Sequence, residues 1–98
     1  MRVMMKVSIP VEAGNQGIKE GTLPKTILGF MEQFKPEAAY FLPHGGERTA
    51  FFFVDLKEPS AIPLMAEPFF KNLNASIECT PVMNVEEMKA GVAKVSQH

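Results

Sequence analysis

Tryptophan is absent from this chain and cysteine occurs once, at Cys79. A single thiol excludes a disulfide framework within the chain and a cysteine-built zinc site, both of which need several. Histidine is almost as scarce, with His44 inside the chain and His98 at its end, where a mobile residue is expected. No second histidine or cysteine stands at ligand spacing from His44, so no metal site is expected. Basic charge is neither in excess nor gathered: ten Lys and Arg residues are scattered along the chain and leave a net charge of -1. Nucleic-acid binders carry a basic stripe that releases counterions from phosphates, and none is visible, so nucleic acid is not an expected partner. No apolar run approaches the ~20 residues that cross a bilayer. Met1 to Pro10, interrupted by Arg2 and Lys6, is too short for a signal segment with its cleavage site. The expected location is therefore the cytoplasm, with no membrane partner. Neither G-x-G-x-x-G nor Gly-Lys-Ser/Thr occurs, and Ser8, Ser60 and Ser76 lack a G-x-S-x-G elbow. Nucleotide binding and serine-hydrolase chemistry have no support, and no cofactor is expected.

What is present suits one globular domain over residues 1–98: 46% hydrophobic and 21% charged residues argue against disorder. Arg2 to Ile9 alternates, with Val3, Met5, Val7 and Ile9 on one face and Met4, Lys6 and Ser8 on the other, which predicts a strand stopped by Pro10. Val11 to Gly21 carries Gly14, Gly17 and Gly21 with few apolar anchors, and reads as a long loop. Thr22 stands at a helix start with Pro24 in the first turn, and Leu23, Ile27, Phe30, Met31 and Phe34 follow at helical spacing up to Pro36. Gly29 inside that helix suggests close packing against a sheet.

Glu37 to Pro43 and Arg48 to Leu56 read as two strands, joined by a hairpin turn at Gly45-Gly46. Ser60 and Pro63 open a second helix through Ile62, Met65, Phe69 and Leu73, in which Pro68 predicts a kink or break. Ala75 to Val82 reads as a fourth strand. Asn84 and Glu87 have capping-box spacing ahead of a last amphipathic helix carrying Val85, Met88, Val92 and Val95.

The predicted order is β-α-β-β-α-β-α, an α+β arrangement whose first six elements match the split βαβ pattern of ferredoxin-like domains. That pattern implies a four-stranded antiparallel sheet in spatial order 4-1-3-2, helices on one face and the other face open. In order and length the chain resembles the dimeric α+β barrel superfamily. The stretches Ser8-Ile9-Pro10-Val11-Glu12-Ala13-Gly14-Asn15 and Lys35-Pro36-Glu37-Ala38-Ala39-Tyr40-Phe41 are similar to small bacterial proteins of that type. The resemblance implies two open sheet faces meeting as a barrel, with a pocket inside it or between sheet and helices.

A homodimer is also expected from the residues themselves. Phe52, Val54 and Leu56 share one face of the third strand while Phe51 and Phe53 share the other with Asp55, and two helices cover only one face. Pairing of two open faces is the simplest cover; the alternatives are a monomer covered by its C-terminal helix, or a different partner.

Candidate site residues follow from the same face assignment. Asp55 shares a face with Phe51 and Phe53, Lys6 lies opposite the Val3/Met5/Val7/Ile9 face, and Tyr40 and Glu78 hold strand positions that can join the same side. Together they would make a half-apolar wall with a few polar groups, as a small-molecule ligand requires. If the first and third strands are neighbours, Lys6 and Asp55 come within ion-pair distance; Tyr40 or Asp55 would then exchange protons with a substrate. The plain alternative is a structural ion pair with solvent-facing charges. His44, beside Glu47 and Arg48, is a candidate proton shuttle at a pocket mouth or simply a hairpin residue in water. Asn15, in the glycine-rich segment with Lys19, is a candidate ligand contact from a lid or anion-binding loop; a plain exposed loop is the alternative. Cys79 reads as a small buried hydrophobe.

The expected function is binding of a small, partly apolar molecule, with a cofactor-independent oxygenase- or isomerase-like enzyme implied by the resemblance. A non-catalytic interaction or regulatory module is the alternative. Haem-degrading relatives use a helical His and a Trp, and this chain has neither in place.

Overall fold

The computed structural model describes residues 1–97; His98, expected to be mobile, lies outside the described residues. Alternation does what it predicts at the first strand, β1 (Arg2–Ile9): Val3, Met5, Val7 and Ile9 are buried, while Arg2, Met4, Lys6 and Ser8 are half-buried on the opposite face. The expected loop that follows is instead a helix, α1 (Val11–Glu20). Its glycines serve close approach. A Cβ on Gly14 would stand 2.6 Å from Nη1 of Arg48, and one on Gly17 would stand 3.0 Å from both Leu23 and Leu73 side chains. Gly21 then stops the helix in the left-handed region, φ 81°, its N–H donating to the Ile18 carbonyl. A packed helix, not a loop, is what these residues form.

Helix α2 (Thr22–Phe34) starts directly from Gly21 and buries Thr26 and Phe30. Gly29 does not pack as expected: it faces solvent, and a Cβ there would meet nothing within 4 Å. Strands β2 (Ala38–His44) and β3 (Glu47–Asp55) form the predicted hairpin, closed by His44 opposite Glu47. Gly45 and Gly46 both have positive φ, 61° and 79°, which the two-residue turn between right-twisted strands requires. Helix α3 (Ala61–Leu73) runs through Pro68 without interruption, so the expected break is not there. Proline lacks one N–H and so leaves one carbonyl of the previous turn without its helical donor, while Met65, Ala66, Phe69 and Leu73 hold the helix on the core. Strand β4 (Ser76–Pro81) and helix α4 (Val85–Val95) complete the chain. Asn84 and Glu87 make the capping box, each side chain accepting from the other's backbone N–H.

The sheet order is β2-β3-β1-β4 and every pair is antiparallel, an α+β arrangement of ferredoxin-like type. Helices α1, α2 and α3 lie on the face that carries Met5, Val7, Phe52 and Val54. There the rings of Phe30, Phe52 and Phe69 meet with centroids 4.5 to 5.9 Å apart. Among the described residues no helix lies over the opposite face, where Met4, Lys6, Phe51 and Phe53 are only half-buried. Helix α4 does not fold back to cover it: none of its residues is buried, and its side-chain link to the body is Glu87 bonded to Arg2, which also binds Glu37.

Candidate functional site

On the helix-bearing side, the layer ends short of the sheet edge. Strand β2 is an edge strand, and between it and α2 lies a cleft of about 640 Å³. Its walls are apolar: Ile9 and Ala50 at the floor strands, Leu23, Ile27 and Leu28 from α2, and Phe41 from β2. Leu28 and Phe41 remain 66% and 54% exposed, because the cleft removes the neighbours that would cover them.

Two polar residues of β3 stand in the same wall, Arg48 and Thr49. The Thr49 hydroxyl is occupied, donating to the Glu47 carbonyl at 3.0 Å. Arg48 is held from α1: Nη1 donates to the Val11 carbonyl at 3.4 Å and Nη2 to Oδ1 of Asn15 at 3.1 Å. The missing Cβ of Gly14 is what leaves room for the guanidinium. No carboxylate lies within 4 Å of Arg48 among the described residues, although it is half-buried.

The residues singled out from the sequence lie mainly on the other side of the sheet. Tyr40, Phe51, Lys6 and Glu78 form one cross-strand row through β2, β3, β1 and β4, and Phe53 stands in the next row opposite Met4. Tyr40 meets Phe53 edge-on at 6.4 Å, and His44 meets Phe51 edge-on at 6.0 Å. Lys6, its side chain 23% exposed, pairs with Glu78 at 3.6 Å.

The expected Lys6–Asp55 pair does not form. The two strands are neighbours as supposed, but their register sets Lys6 against Phe51 and Asp55 against Arg2. Asp55 instead accepts from Lys57 at 2.6 Å and from the Met1 ammonium at 3.1 Å. These two cations, Lys57 first, hold its carboxyl at about 2, well below the ordinary carboxylate value. Such a group stays ionised at neutral pH and is a poor proton carrier.

His44 is exposed at the hairpin end, outside the cleft lining. Asn15 is on α1 and acts on Arg48 rather than on a mobile lid. Cys79, half-buried in β4, has its thiol pushed up by burial, which lowers its reactivity. No three His, Cys, Asp or Glu side chains converge as a metal site among the described residues, and no described helix is long and apolar enough to cross a membrane.

The resemblance implies a pocket inside the barrel or between sheet and helices, but no residue lining this cleft is among the ligand contacts the sequence suggests. The cleft's signal in the sequence was Arg48 on the same strand face as Ala50 and Phe52, a cation on the core side of a strand, which side-chain parity alone reveals. Neither a scan against protein-family models nor a search of curated proteins returns a match to this chain.

Proposed function

We propose that this protein binds a small, largely apolar molecule with one acidic or carbonyl end, seated in the cleft between α2 and the β2–β3 hairpin. The observation that carries the reading is Arg48, a half-buried cation without a carboxylate partner among the described residues, set in an otherwise apolar wall. A guanidinium has five N–H donors, and here Val11 and Asn15 take two bonds. A ligand oxygen would accept a charge-assisted hydrogen bond from the remainder, while the apolar body displaces water from Ile27, Leu28 and Phe41. The cleft volume falls within the usual range for small-molecule sites, roughly 300–1,000 Å³. Resemblance to dimeric α+β barrels, where the pocket lies between sheet and helices or inside the barrel, is consistent with this place.

Catalysis by Tyr40, His44 or Asp55 has less support, because none of them lines this cleft and Asp55 is committed to Lys57 and the N-terminus. The reading is therefore of a binding protein. An interaction module is the second reading, favoured by α4, which buries none of its residues.

Thermal shift tests the site directly. Octanoate and phenylacetate should raise the melting temperature more than octanol and phenylethanol do. At tenfold excess over Kd the gain is about 1.4 kcal/mol, roughly 5–10 °C for a domain of this size. Leu28→Glu, at an exposed wall position, and Arg48→Met should each abolish the preference for acids. Equal shifts from acids and alcohols, or acid shifts unchanged in both variants, would sink the proposal.

A further inference from the structure

Helix α4 is short and bare. Eleven residues make it, and in water a helix of fewer than about 12–15 residues is marginal without a surface to pack on. Its capping box secures the first turn only. Yet Val85, Met88, Val92 and Val95 recur with 3-4-3 spacing along one side, the spacing of a seam that packs against another element, and all four are between 44% and 74% exposed.

The molecule as a whole, α4 included, shows the same shortage of cover. A compact monomer of 10.8 kDa exposes about 5,500 Å², whereas this chain exposes 6636 Å². The excess, about 1,100 Å², is of the order that one partner contributes to a stable interface, about 800 Å². The Cα radius of gyration is 15.7 Å, against about 13 Å for a compact chain of this length.

Arg2 tells where the arm starts. It belongs to the uncovered face of β1, with Met4 and Lys6, and its guanidinium grips Glu87 in the first turn of α4. The bare seam of α4 thus begins at the margin of the bare sheet face, on which Tyr40 is exposed and Met4, Phe51 and Phe53 are half-buried.

We infer that α4 is an exchanged arm: its Val85–Met88–Val92–Val95 seam seats on a second copy of this chain, in one two-fold interface that also takes in the open sheet face. A surface made of a face and an adjoining arm is self-complementary under a two-fold axis, since each copy supplies the cover the other lacks. A net charge of -1 sets little repulsion between the copies. The inference does not depend on the ligand cleft, which lies on the other side of the sheet.

Sedimentation velocity over a concentration series decides it. The wild-type chain should run at twice its 10.8 kDa mass. Met88→Asp with Val92→Asp should weaken the dimer at least about tenfold while the domain core keeps a cooperative thermal transition. Glu86→Gln, off the seam, should leave it intact. Tyr40→Asp, on the open face, should weaken it too. A monomeric wild type would overturn the whole inference. A dimer untouched by the double α4 substitution would overturn the arm while leaving a sheet-face dimer standing. Acid-induced thermal shifts measured on the same variants keep failure of this interface apart from failure of the cleft.

Discussion

The two faces of the sheet are built from the same four strands and are opposite in character. One carries Val3, Met5, Val7, Phe52 and Val54 under three helices, and these residues are at most 2% exposed. The other carries Met4, Lys6, Phe51, Phe53 and Asp55, half-buried or exposed, with polar and aromatic groups side by side. Because side chains alternate along a strand, each apolar residue of the first face has a neighbour in sequence that belongs to the second. The difference teaches that hydrophobicity alone does not assign a role here: Phe52 holds the fold together, while Phe51 and Phe53 flank it on a face that no helix covers among the described residues.

Truncation should separate the two faces most sharply. Phe52→Ala is expected to cost about 3–5 kcal/mol, because it removes a ring packed on Phe30, Phe41 and Phe69. Phe51→Ala should cost about 1 kcal/mol. Urea denaturation of both variants measures the ratio, and equal losses would erase the distinction between the faces.

A second contrast lies within the helical layer. Gly17→Ala forces a methyl against Leu23 and Leu73 and should destabilise by about 1–3 kcal/mol. Gly29→Ala, facing open space in mid-helix, should stabilise by about 0.5–1 kcal/mol. The opposite signs would show in melting temperatures; the same sign in both would mean that α1 does not sit as closely as its glycines allow.

The smallest effect concerns the open face. The Asp55 carboxyl is lowered in the folded chain, from 3.8 to about 2, so its contribution to stability is fully present above the unfolded value and is lost as pH falls through about 2. The stability gap between wild type and Asp55→Asn should therefore be constant at neutral pH and close progressively below 3.8. A gap independent of pH would remove Lys57 and the N-terminus as the cause.

Much of the architecture was legible in the residues. Parity assigned Val3, Met5, Val7 and Ile9 to the core, Gly45-Gly46 announced the hairpin, and Asn84 with Glu87 announced the last helix. Two things were not legible, for different reasons. Glycine spacing in Val11 to Gly21 reads locally as flexibility, whereas Gly14 and Gly17 answer to Arg48 and Leu73, far away in sequence. Parity also tells which face a side chain takes without telling which residue it meets. Lys6 and Asp55 share a face, but strand register, set by how the whole of β1 lies along β3, separates them by four positions. The lining of the cleft escaped for a related reason: the cleft exists only where α2 and the edge strand diverge.

The position of β1 also bears on how the chain is made. Of the four strands it is synthesised first, yet it lies between β3 and β4, whose residues begin at Glu47 and Ser76. While the ribosome is still delivering those segments, an apolar strand with both edges unpaired is exposed to other nascent chains. The β2–β3 hairpin closes through its own short turn, but β1 waits for distant partners, and such non-local pairing is slow. Protection of β1 should come late, with the arrival of Ser76 to Pro81, so truncated chains ending before β4 are the forms most exposed to aggregation and to chaperone capture.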